Sequence, residues 1–447
     1  MSGLHRRAVK GGKTLSNKAR SKPESGISST NHSPTGSPAN SRAGSRVNSR
    51  PGSRYASEDE YASDDDFDAM TADTDSITGE EEQVLTDGWA DRLQDQVAAL
   101  QERKNSSVQG REASLRLCIH VLKHHFARRQ LEKSASDMLL VCLRSIRHAG
   151  SDEECLRALR AFTLTLLTCP SNDTYEQALP VLKGACHDGE QESIKVAAIQ
   201  ALCIAVSCGG GSAEAAEEVL DFLLEIVESD GASVNAADSG EVVTAALQAW
   251  AFVASDMEEL TDQGEAAMEA FIDQLDSTDP EVQVAAGSNI ALLFEHGRDY
   301  EAETGESFNM QYNQHRIMTR MAEISRGAAK GVSRKGRRNL RANFASIATS
   351  LERGKGPGYS TAGRSGQNPH TGGSKMEEAF QEFGYRNRIR VHNQFVLIRT
   401  WSLHARAEML RILLGGGFGE HYLENPLVRE ILSDADVEFI SSVRPRK

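Results

Sequence analysis

The chain has 447 residues, room for two to four domains at roughly 100–200 residues each. Hydrophobic residues make up 39% and aromatics 6%, below the ~45–50% apolar share of an ordinary globular chain, so part of it is expected to stay unfolded. The formal charge is −14; no apolar run approaches ~18 residues and no hydrophobic signal core opens the chain, which disfavours membrane spans and secretion.

Charge is segregated along the chain. Residues 1–55 hold 11 basic side chains and one acid, and residues 56–87 hold 13 acids and no Lys or Arg. Residues 88–315 hold 16 basic and 38 acidic side chains, whereas 316–447 hold 23 and 12. An acidic body is therefore flanked by two basic segments.

Residues 1–87 read as a disordered tail, Ser/Arg-rich and then acidic, because too few large apolar side chains are present to offset chain entropy. Ser-Arg recurs every four residues from Ser41-Arg42 to Ser53-Arg54, which sets a basic residue three before Ser45, Ser49, Ser53 and Ser57. Basophilic kinases accept that spacing, and Ser57 and Ser63 precede acid runs. These five serines are candidate phosphorylation sites, each adding ~−1.5 to −2 of charge. A solvated tail without regulation is the alternative.

Residues 88–310 read as a helical-repeat domain. Aligning Leu115, Cys155, Lys195, Val243 and Gln283 brings small residues together three positions on: Cys118, Ala158, Ala198, Ala246 and Ala286. Four further on stand Leu122, Phe162, Leu202, Trp250 and Ile290, then Phe126, Leu166, Val206, Ala254 and Phe294. Apolar residues at i, i+4 and i+8 mark one helix face, and the small residue admits a close neighbour. Partner helices are predicted at Ser136–Arg147, Thr174–Cys186, Ala215–Glu228 and Glu265–Leu275, with a first helix on Trp89, Leu93, Val97 and Leu100. A helix-pair period of ~40 residues is that of HEAT or armadillo units, so the expected fold is all-α, a solenoid that offers a binding groove. All seven cysteines fall in these apolar patterns and are expected to be reduced core thiols of an intracellular protein.

Chemistry is sparse. His120 and His124 share a helix face at i, i+4, but Val121 follows His120 where H-E-x-x-H needs Glu, and no third ligand is evident. Gly354-Lys355-Gly356-Pro357-Gly358 lacks P-loop spacing and reads as a linker. No G-x-S-x-G elbow or Cys/His pairing stands out. The expectation is no enzyme, no cofactor, no metal and no small-molecule substrate.

Residues 311–352 form a basic helical segment with Arg334, Lys335, Arg337, Arg338 and Arg341 as candidate nucleic-acid or ribosome contacts. A solvated helix face with nuclear-import character is the alternative. Residues 353–375 read as a flexible Gly/Ser linker, and 376–447 as a small module. In that module Ile389 to Ile398 form a hairpin around His392-Asn393, Trp401 opens a helix, three glycines make a turn, and a last helix runs from His421 through Ile431.

The C-terminal third carries a family resemblance. Arg334–Phe344, Trp401, Leu413-Leu414-Gly415-x-Gly417 and His421 with Leu423-x-Asn425-x-x-Val428-Arg429, together with the acidic repeat body, resemble the interferon-related developmental regulator family over about residues 85–435. The resemblance implies a non-enzymatic helical-repeat adaptor of nucleus and cytoplasm. Its partners would be regulatory proteins of transcription, with ribosome or RNA, in translational control, as the alternative. Trp401, His421, Asn425 and Arg429 are candidate partner contacts, with an internal capping and pairing role as the alternative.

Overall fold

A computed structural model describes residues 88–103, 106–257, 260–305, 313–327, 334–362, 381–385 and 387–440. Ser45, Ser49, Ser53, Ser57 and Ser63 lie outside the described residues.

The first helices alternate between two rows. An outer row is made by α1 (Trp89–Gln101), α4 (Ala135–Arg147), α6 (Tyr175–Asp188), α8 (Ala213–Glu228) and α10 (Thr261–Gln274). An inner row is made by α2 (Val108–His124), α5 (Asp152–Thr168), α7 (Glu192–Cys208), α9 (Gly240–Ala254) and α11 (Pro280–Thr304), with α3 a single turn at Arg128–Leu131. Each inner helix packs on the next and on its outer-row partner. Most inner helices start where a short polar side chain accepts an orphan N–H: Ser107 from Gly110, Ser151 from Glu154, Ser239 from Val242, and Asp279 from Glu281 just before Pro280.

The predicted stripe is the core. Cys118, Ala158, Ala198, Ala246 and Ala286 are fully buried, as are Leu122, Phe162, Leu202, Trp250 and Ile290. Phe126 lies beyond the end of α2 and is only half-buried. Replacing Leu202 by Ala should cost about 2–5 kcal/mol, because a side chain at 0% exposure leaves a cavity between helix pairs. An unchanged denaturant midpoint would remove the alignment.

One repeat position has a polar duty. Lys195 Nζ donates to the carbonyls of Cys186 (3.0 Å), His187 (3.0 Å) and Val234 (2.7 Å). Gln283 Nε2, at the matching place in α11, donates to Leu275 O (3.1 Å) and Ser277 O (2.8 Å). Both reach back to carbonyls at the end of the preceding outer helix, which no helical N–H satisfies. Burial pushes the Lys195 ammonium below its ordinary pKa.

The basic segment extends this stack. α12 (Gln314–Gly327) pairs with α13 (Arg334–Arg353), and α13 packs on α11 as the next inner helix. Ile317, Met321, Ile324, Leu340, Phe344, Ile347 and Leu351 are buried by that docking.

The glycine run after α13 is not a plain flexible linker where it is described. Gly356 and Pro357 are buried, and a Cβ on Gly356 would stand 1.7 Å from Arg399 O. Gly358, at φ +71°, leaves Asn387 a similar close approach. The chain then enters β1 (Tyr359–Ala362), which pairs antiparallel with β2 (Gln381–Tyr385), Tyr359 facing Tyr385. Residues 363–380, the remainder of the expected linker, lie outside the described residues.

The expected hairpin is β3 (Arg388–Val391) and β4 (Gln394–Leu397), turning at His392, whose φ is +50°. An unexpected β5 (Asp436–Phe439) completes a sheet of order β3-β4-β5. All four of its residues are exposed, so it shows no buried alternation to read. Between them run α14 (Trp401–Leu414), a 3-10 turn at Gly415–Gly417, α15 (Phe418–Glu424) and α16 (Pro426–Ile431). The single last helix expected from His421 is therefore two. Asn425 ends α15 and caps α16, its Oδ1 accepting Leu427 N at 3.0 Å, and Pro426 stands where no N–H is needed.

These C-terminal helices lie across the inner row. α14 packs on α9 and α11, α15 on α2, and α16 on α5. The face expected to be an open groove is covered there by the chain itself. Among the described residues no helix is long and apolar enough to cross a membrane.

Candidate functional site

The seam between module and repeats is built from polar groups set opposite helix ends. At the start of α14, the carboxylate of Glu295 in α11 accepts Trp401 N (2.8 Å), Ser402 N (2.9 Å) and Ser402 Oγ (3.2 Å). A carboxylate there meets both orphan N–H groups and the positive end of the helix dipole. Burial raises the Glu295 pKa while those hydrogen bonds pull it down. Trp401 Nε1 donates to Ser350 Oγ of α13 at 3.0 Å, and Arg406 Nε donates to Ser255 Oγ at 3.1 Å beyond α9.

At the other end, His421 is fully buried and its Nε2 stands 2.8 Å from Leu122 O in α2. A carbonyl only accepts, so Nε2 carries the proton and Nδ1 is left to accept from Asn425 Nδ2 at 3.4 Å. Asn425 Nδ2 also donates to Leu167 O of α5 at 3.0 Å. One His–Asn pair thus ties α15 and α16 to two inner helices.

Of the four residues expected to meet a partner, Trp401, His421 and Asn425 are therefore spent on the protein's own docking. Arg429 alone of the four is exposed. The break at Asn425 also leaves His421 and Arg429 on two different helices.

Burial holds the His421 imidazole below its ordinary pKa, opposed by its bonds to the α2 carbonyls. A lowered folded pKa makes this stability fully present above about pH 6.5, the unfolded value, and lost as pH falls through the folded one. Unfolding free energy should thus drop between pH 7.5 and 5, and by less in His421→Gln, whose amide keeps a donor toward Leu122 O. Equal pH dependence in both proteins would show that His421 carries no such linkage.

The basic face lies on the last helix pair. Arg334 and Lys335 open α13, and their side chains lie outside the described residues. Arg337 is half-buried, and Arg338 and Arg341 are exposed, on the side turned away from the Leu340–Phe344–Ile347–Leu351 stripe. On α12, Arg316 and Arg326 are exposed, whereas Arg320 bonds Asp276 at 2.7 Å and Glu323 at 3.1 Å, so it helps hold α12 to the turn after α10.

Sequence reasoning missed Glu295 and Arg406, since a lone acid in a long helix and a lone arginine carry no motif. His120 and His124 have ring centroids 4.7 Å apart, yet among the described residues no three His, Cys, Asp or Glu side chains converge as a metal site. The cysteines are free thiols, six of them buried, and burial pushes Cys118 and Cys186 up to about 12.

These features define a helical-repeat protein whose inner row carries its own C-terminal module. Residues 57–352 match the interferon-related developmental regulator (IFRD) family, so the chain belongs to that family of non-enzymatic, helical-repeat regulators. The match covers the acidic tail, the repeats and the basic pair, Arg334–Phe344 included, and stops before Trp401, the Gly415-x-Gly417 turn and the His421–Arg429 motif. A Schizosaccharomyces pombe protein described as uncharacterized is 25% identical over 396 residues, 83% of this chain and 82% of that protein.

Proposed function

We propose that this IFRD protein is a regulator of gene expression that associates with ribosomes or other RNA assemblies through the outer side of α12 and α13. The observation that supports this reading is an exposed basic face on the last helix pair, beside an inner row already occupied by the chain's own module. Guanidinium groups on a rigid helix bind phosphates bidentately and displace counterions, which makes such binding steeply salt-dependent. Reversing Arg334, Lys335, Arg337 and Arg338 to Glu should lower ribosome co-sedimentation by orders of magnitude and flatten its salt dependence. Melting should hardly change, since none of the four belongs to the buried Leu340–Phe344–Ile347–Leu351 stripe and solvent-screened charges contribute little to stability. Wild-type sedimentation by that variant would leave the segment as a solvated or import face.

A second reading is transcriptional co-regulation by holding basic regulatory proteins. It draws on the outer row, where α8 exposes Glu214, Glu217, Glu218, Asp221, Glu225 and Glu228 together. RNase-insensitive nuclear complexes that dissociate when these residues are neutralised would favour it. On either reading the protein works in nucleus and cytoplasm.

A further inference from the structure

Beside α13 the short β1–β2 ribbon sets aromatic rings next to cations. Tyr359 and Tyr385 face each other across the ribbon, their ring centroids 5.1 Å apart at 70°, and both rings are half-exposed. Lys355 Nζ stands 5.5 Å from the Tyr359 ring, and the Arg399 guanidinium 5.7 Å from the Tyr385 ring. Three residues beyond Tyr385, the exposed Arg388 lies 4.1 Å over Phe395, itself half-exposed. Residues 353–362, 381–385 and 387–399 carry five basic side chains and one acid. Two acids border this surface from β5: Asp436, bonded to Arg399 at 2.5 Å, and Glu438, paired with Phe395.

A two-stranded ribbon is marginal by itself, and its rings would stabilise it most if buried. Here they remain partly open to solvent, each with a cation over one face. Sequence-tolerant binding of single-stranded nucleic acid needs that combination, in which bases stack on rings and phosphates meet the flanking charges. The ribbon also grows directly from the basic helix. Gly358 N donates to Ser346 Oγ of α13 at 2.8 Å. Arg341 and Arg338 stand five and eight residues earlier, about 8–12 Å along the helix axis.

We infer that the Tyr359–Tyr385 ribbon, with Lys355 and Arg388, is a base-stacking site for single-stranded RNA that adjoins the α13 basic face. This rests on the RNA-association reading and names its ligand as an unpaired strand rather than a duplex.

The test uses the full chain and two labelled probes of ten units: oligouridine RNA and its abasic ribose-phosphate counterpart. Tyr359→Ala with Tyr385→Ala should weaken oligouridine binding by about tenfold or more, with abasic binding and salt slope unchanged. Tyr359→Leu with Tyr385→Leu, which keeps an apolar ribbon without π faces, should behave as the alanine pair. Tyr359→Phe with Tyr385→Phe should bind as wild type. The α13 charge reversal should weaken both probes alike. Wild-type oligouridine affinity in the leucine pair, or equal losses on both probes, would overturn the stacking site while leaving the basic face standing. Failure of the wild-type chain to bind either probe at low salt would overturn the stacking site and the RNA reading together.

Discussion

Glu154→Ala should lower the unfolding free energy by about 3–5 kcal/mol, the cost of leaving buried cations without their counter-charge. Glu154 is fully buried at the start of α5, where Arg111 of α2 grips it through Nε (2.7 Å) and a terminal nitrogen (2.8 Å). Arg103 adds a third contact at 3.0 Å and Gly150 N a fourth at 2.9 Å. Burial pushes the carboxyl pKa up, but the Arg111 hydrogen bonds and the two guanidinium charges hold it below the usual carboxylate range. Its stabilisation is accordingly present at neutral pH and lost as pH falls below about 4.5 and through the folded value. Replacing both partners, as Arg111→Met with Glu154→Leu, should cost much less than either charge left alone. Denaturant unfolding of Glu154→Ala, Arg111→Met and the double variant measures this. A double variant no better than Glu154→Ala would mean that shape, not charge, holds α2 to α5.

Trp401→Ala should cost about 3–5 kcal/mol and loosen the whole C-terminal module. The indole is 4% exposed and stands where α11, α13 and α14 converge, so its loss removes packing and the Ser350 hydrogen bond together. Trp401→Phe keeps most of the packing and should cost about 1–3 kcal/mol, from the smaller ring and the lost hydrogen bond to Ser350 Oγ. Limited proteolysis should then cut within residues 387–440 of the alanine variant at protease levels that spare wild type. Equal resistance would show that Glu295 and the His421–Asn425 pair suffice to dock the module.

The repeat body was readable residue by residue. A stripe that returns every ~40 residues is a local signal, and helix periodicity alone sends Ala158, Phe162 and Leu166 to one side. The hairpin was readable for the same reason, since alternating Ile389 and Val391 mark a buried strand face. The proposed functional surface was legible only in part. Charge counting located the α13 arginines, but nothing in the spacing of Lys355, Tyr359, Tyr385 and Arg399 showed that four residues spread over 45 positions would meet on one ribbon.

Sequence by itself determined the row of helix pairs and the segregation of acid and base along the chain. Tertiary structure alone decided that the basic pair extends the stack, that Gly356 and Gly358 serve close packing, and that the module lies across the inner row. The physical reason is the nature of the partners. Apolar stripes announce themselves because side chains meet side chains, whereas His421, Asn425 and Lys195 bond to backbone carbonyls. Every residue has such a carbonyl, so sequence does not say which one a buried donor will find.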